Sequence, residues 1–155
     1  MKTIQTPIPD VLIIEPTPFK DDRGFFMETY QKERYQACGI ECDFVQDNLS
    51  YSVQGTLRGL HYQYPNEQAK LVQVTEGEVF DVAVDIRRDS PRFGEWVGEE
   101  LSAENHRQLW VPPGFVHGCL ALREKALFPS KCTDLFAQVD AFRVRWDVPE
   151  LSFVW

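Results

Sequence analysis

The stretch EVFDVAVDIR, Glu78 to Arg87, decides how this chain folds. In an extended strand residues two apart share a face, so Val79, Asp81, Ala83 and Asp85 form one row and Phe80, Val82, Val84 and Ile86 the other. The second row is apolar throughout and reads as core. The first carries two carboxylates. If that row lines a barrel interior, Asp81 is a partly buried carboxylate that needs a partner.

Outward from this strand the same texture repeats. DFVQDNLSYS (43–52), TLRGLHYQ (56–63), KLVQVTEG (70–77), GEWVGEELS (94–102), RQLWVPPGFVHGCLAL (107–122) and LFPSKCTDLFA (127–137) are strand-length runs closed by Gly, Pro, Asn, Asp or Ser. Many short strands at roughly even spacing predict an all-β chain, a sandwich or jelly-roll barrel. VTEGEV (74–79) reads as the tight turn of one hairpin and RRDSPRFG (87–94) as the loop of another connection. Near the N-terminus VLIIEPTPF, then KDDRG, then FFMETY suggest a further hairpin. The one helical candidate is QKERYQA, Gln31 to Ala37, short and peripheral, with a glycine stop at Cys38-Gly39. With no repeat, no low-complexity stretch and no linker, residues 1–155 are expected to form a single domain.

The formal net charge is −8. That argues against a nucleic-acid partner, which would need clustered Lys and Arg, so any anionic ligand must be held by local cations. No apolar run approaches the roughly 20 residues of a membrane span, and MKTIQTPIPD lacks the apolar core of a signal peptide, so a cytoplasmic location is expected. Cys38 and Cys42 have a near-zinc spacing, but Cys119 and Cys132 do not form a second such pair. Free thiols are the better reading.

Polar residues on the barrel strands mark a candidate site. Lys70 shares a face with Val72 and Val74, and Gln46 and Asn48 share one with Phe44. Burying such groups without partners costs about 1–3 kcal/mol each, so a lining of Lys, Asp, Gln, Asn and His is better explained by a ligand than by packing. In LRGLHYQ (57–63) strict alternation sends Arg58 and His61 to opposite sides, yet a bulge at Gly59 would bring them together. His117 has two readings, a histidine closing the turn after Pro112-Pro113-Gly114 or a cavity partner of His61. His106, in a polar loop, is expected at the surface. The chain has no His-x-His pair, so no metal is expected.

DDRGFFMETY (21–30), FVQDNLSYS, LRGLHYQ, the long block from Ala69 to Gly118, and KCTDLFA (131–137) together resemble the dTDP-4-dehydrorhamnose 3,5-epimerases, the RmlC-like cupins, over nearly the whole chain. The resemblance implies a jelly-roll homodimer with a few short peripheral helices. It also implies inversion of C3 and C5 of a dTDP-4-keto-6-deoxyhexose without a cofactor. By that resemblance His61 is the base, Lys70 stabilises the oxyanion, His117 occupies another active-site position, and Asp81 supports Lys70 or His61. Arg58, Gln46, Asn48, Glu28 and Arg23 would hold the nucleotide, Arg23 reaching in from a partner subunit, and Phe136 would stack on the base.

The pattern also departs from that family. Ser130 stands where the family has the tyrosine that protonates the opposite face of the enolate. Leu135 replaces an aromatic residue and Ala141 a glutamate. The chain stops at Trp155, ahead of a family segment that carries a lysine and the aspartate orienting the catalytic histidine. Three readings follow: a 3,5-epimerase, a single-carbon epimerase, and a sugar-nucleotide-binding homologue that has lost turnover.

Overall fold

The structure is a computed structural model describing residues 1–151 and 155. Two antiparallel sheets face each other. The first runs in the order β1 (Lys2–Gln5), β2 (Leu12–Glu15), β10 (Gln108–Val111), β7 (Lys70–Gln73), β12 (Lys125–Cys132), β5 (Gln46–Val53). The second runs β13 (Ala141–Arg143), β6 (Leu57–Gln63), β11 (Phe115–Ala121), β8 (Glu78–Asp85), β9 (Trp96–Ser102). From β5 onward the chain passes repeatedly from one sheet to the other, a jelly-roll arrangement as expected. No helix among the described residues is long and apolar enough to cross a membrane.

Alternation explains the packing. Ile13, Val72, Val79, Ala83, Val97, Leu109, Phe115, Ala126 and Phe128 meet between the sheets as the main core. The other row of β8 is also buried, but on the outer side: Val82 and Val84 join Leu60 and Val116, covered by Val144, Leu151 and Trp155. The second sheet is therefore covered on both faces at β8 and β11, and the Asp81 row is the one that looks into the barrel.

The hairpin of β3 (Phe19–Asp21) and β4 (Gly24–Phe26) forms as expected. So does α1 (Lys32–Gln36), where Gln31 accepts from the Arg34 N–H. Gly39, at φ +95°, donates to Gln36 O while Ile40 N reaches Tyr35 O, a Schellman stop. The helix is short yet anchored, for Tyr35 is buried and its hydroxyl donates to Gln108 Oε1 at 2.8 Å.

VTEGEV is not a hairpin turn. β7 pairs with β10 and β12 while β8 pairs with β9 and β11, so the turn carries the chain between sheets. Turn residues specify a reversal of direction but not the strand that receives it. RRDSPRFG, by contrast, does join the paired strands β8 and β9.

Candidate active site

The expected bulge is present. On β11 one residue, Gly118, separates His117 from Cys119; on β6 two residues, Gly59 and Leu60, separate their partners His61 and Arg58. Gly59 has φ +123°, and a Cβ there would stand 2.5 Å from Gly118 Cα and 2.8 Å from His117 O. Only glycine fits where the two backbones come this close. The extra residue turns Arg58 to the side of His61. Its Nε donates to Ser52 Oγ at 2.8 Å and its Nη2 to Tyr51 O at 2.7 Å, so the guanidinium crosses to β5 already held in place.

His61 is half-buried on the inner face. Burial lowers its pKa below the ordinary 6.5, and Lys70, Arg143, His117 and Arg58 push in the same direction. The imidazole is therefore kept neutral and able to accept a proton. Lys70 projects inward from the facing sheet. Burial pulls its ammonium pKa down, while Cys132, Asp81 and Cys119 work the other way.

Asp81 does not support His61 or Lys70 through a hydrogen bond. Its partner is His117, whose Nε2 lies 2.8 and 3.0 Å from the two carboxylate oxygens. Both groups are buried, with Asp81 fully so. The open question about His117 is thereby answered. It sits within β11, one strand from β8, and closes no turn. Asp81 reaches Lys70 only through space, as a charge favouring its protonation. Among the described residues no carboxylate hydrogen-bonds to His61.

Gln46 and Asn48 are joined side chain to side chain at 2.9 Å on β5, and Asn48 also meets Cys132 Sγ at 3.4 Å. Gln46 Oε1 accepts the Phe136 N–H, and Gln63 accepts the Ala137 N–H while donating to Leu135 O. These two glutamines strap the segment carrying Phe136, whose ring is exposed. Ser130 lies on the inner row of β12 between Phe128 and Cys132, paired in register with Asn48 and Val72. It therefore stands on the wall opposite His61.

Two predicted residues are not gathered here. Arg23 sits at the exposed tip of the β3–β4 hairpin and binds Asp21 at 2.6 Å. Glu28 binds Arg34 at 3.2 Å. His106 is partly exposed and packs on Phe25, with ring centroids 4.9 Å apart. Burial pushes the Cys119 thiol up to about 12, which leaves it protonated and unreactive. All four cysteines are free, and no group of three or more His, Cys, Asp or Glu among the described residues could hold a metal ion.

A family model for dTDP-4-dehydrorhamnose 3,5-epimerase matches residues 5–155. A protein of that name from Pseudomonas aeruginosa is 54% identical over all of this chain and 86% of its own length. The chain belongs to the dTDP-4-dehydrorhamnose 3,5-epimerase family. A crystal structure of the dTDP-6-deoxy-D-glucose-3,5-epimerase RmlC from Legionella pneumophila, in complex with dTDP-4-keto-L-rhamnose, superposes with TM-score 0.98 at 51% identity, covering 99% of this chain and 82% of that one. A 3′-monoepimerase from Streptomyces bikiniensis, in complex with dTDP-quinovose, superposes with TM-score 0.90 at 30% identity, covering 97% and 77%. Within this epimerase family fold, sequence reasoning passed over Gln63, a residue only 5% exposed, and Arg143, which pairs in register with His61. A buried glutamine at a strand end was the available signal for the first. Nothing local marks the second, because β13 is only three residues long and exposed.

Proposed function

We propose that the chain is a dTDP-4-dehydro-6-deoxyglucose 3,5-epimerase acting in deoxysugar biosynthesis, in which neutral His61 removes the proton next to the C4 ketone. The C–H electron pair moves into the ring as the C4 oxygen becomes an enolate, and the Lys70 ammonium stabilises that charge. Return of a proton to the opposite face inverts the carbon. Nothing is oxidised or reduced overall, so the chemistry calls for no electron carrier. Asp81 fixes the ring of His117 beside the base, and Arg58 takes the diphosphate, with Gln46, Asn48 and Phe136 around the nucleotide.

One observation carries this reading. Of 16 lysines and arginines, five have no carboxylate within ion-pair distance among the described residues: Lys20, Arg58, Lys70, Arg88 and Arg143. Three of the five bear on His61. In a chain of net charge −8, such a cluster suits an anionic ligand such as a nucleotide sugar. In deuterated water the wild type should exchange the C3 and C5 hydrogens of dTDP-4-keto-6-deoxyglucose, and His61→Ala should lose at least about 10²-fold of that rate. Wild-type exchange at background would refute the reading.

Ser130 favours a second reading, a single-carbon epimerase. A serine hydroxyl is shorter and far less acidic than a phenol, so a water relayed by Ser130 would supply the second proton. Deuterium read separately at C3 and C5 separates the two.

We also infer a homodimer and a cytoplasmic, single-domain enzyme that binds neither nucleic acid nor membrane. The edge strand β5 leaves Leu49, Tyr51 and Val53 exposed beside Val45, and the β3–β4 hairpin exposes Phe19, Phe25 and Phe26. A second copy would cover this surface and receive Arg23 and its hairpin. A monomer by sedimentation at micromolar concentration would remove the idea.

A further inference from the structure

The cations around His61 are not equivalent. Lys70 projects inward from the facing sheet, and Arg58 is held by Ser52 and Tyr51. Arg143 differs from both. Directly opposed residues of an antiparallel pair point to the same side, and Arg143 is opposite His61 while Phe142 is opposite Tyr62. The Tyr62 and Phe142 rings stack at 5.4 Å on the outer face, so Arg143 belongs to the inner face with His61.

β13 is the edge strand of its sheet, and Arg143 is exposed there, at the rim of the barrel. Its guanidinium makes no hydrogen bond or ion pair with any described residue, although five N–H donors are available. Two residues on, Arg145 shows the usual fate of an arginine in this acidic chain, closing on Asp147 at 2.6 Å. Arg143 thus lies across from His61 on β13 and Arg58 three residues before it on β6, both exposed, while Lys70 is more deeply set.

We propose that Arg143 is a substrate-binding residue of this site, its guanidinium closing on the diphosphate of the nucleotide sugar together with Arg58. The assignment rests on the epimerase reading above. With the reacting ring carbons held at His61 and Lys70, the diphosphate that follows C1 lies towards the rim, between the two arginines. A planar guanidinium there matches phosphate oxygens two at a time, which a lysine cannot do.

Titration calorimetry with dTDP tests it. Arg143→Ala should weaken binding by about tenfold to a hundredfold and flatten the salt dependence of Kd, while Arg143→Lys should recover part of the loss. Arg145→Ala, on the same segment, should bind as the wild type does. Inorganic pyrophosphate, displacing dTDP, should show the same deficit in Arg143→Ala. Unchanged dTDP binding in Arg143→Ala overturns the assignment and leaves the epimerase reading standing. Equal losses in the Arg143 and Arg145 variants overturn it too, since they would reflect a loosened β13. A wild type that binds no dTDP overturns both proposals.

Discussion

Asp81 and Asp85 lie four residues apart on one face of one strand, and both are completely buried. Their surroundings differ. Asp85 is met by the Arg87 backbone N–H at 3.0 Å, the Arg87 guanidinium at 3.0 and 2.6 Å and the Ser90 hydroxyl at 2.6 Å, all within five residues. It organises the loop that returns the chain into β9. Asp81 instead meets His117, which lies 36 residues away on another strand, inside the barrel and beside Lys70. Identical burial therefore orders a loop in one case and joins two strands inside the barrel in the other, and the partner decides which.

The largest expected difference is in stability. Asp85→Asn should cost about 2–3 kcal/mol in urea unfolding while changing kcat less than twofold. This falls below the cost of breaking a fully buried pair, because Arg87 is partly exposed and keeps Asp10 at 2.7 Å. Asp81→Asn should do the reverse, lowering kcat about 10- to 100-fold through His117, with a stability cost of about 1 kcal/mol. If both variants lost activity and stability in the same proportion, the contrast between the two carboxylates would be gone.

Acid sharpens it further. Burial raises the Asp85 pKa, but the bonds from Arg87 and Ser90 outweigh it and leave the group below its ordinary 3.8. A depressed carboxylate contributes stability that is complete above the unfolded value and lost as pH falls through the folded one. The gap between wild type and Asp85→Asn should hold above about pH 5 and shrink as pH falls below about 4, as read by unfolding at each pH. The smallest effect concerns His61. The acid limb of kcat/KM should lie below 6.5, the ordinary histidine value. Arg143→Ala should raise it by a few tenths of a pH unit, since a removed cation makes the imidazolium easier to form.

Much of the framework was legible because it depends on spacing along the chain. Alternation in β8 separated the Asp81 row from the apolar row, and Gly59 inside a strand pointed to the bulge that brings Arg58 beside His61. Gly39 marked the helix stop in the same way. VTEGEV misled, since a turn signal does not name the sheet the next strand joins. Asp81 was placed on the inner face, but its hydrogen-bond partner His117 was not foreseen, and Arg143 escaped notice on a strand too short to carry a period.

By itself the sequence determined the rows of residues that share a face, the glycines needed where backbones cross, and the acidic balance that leaves few cations unpaired. Only the tertiary structure decided which of those rows meet. Hydrogen bonds and Coulomb attraction act over a few ångströms in space, between strands whose separation along the chain carries no such distance. That is why His117 became the partner of Asp81, and why Arg58, Lys70 and Arg143 converge on His61.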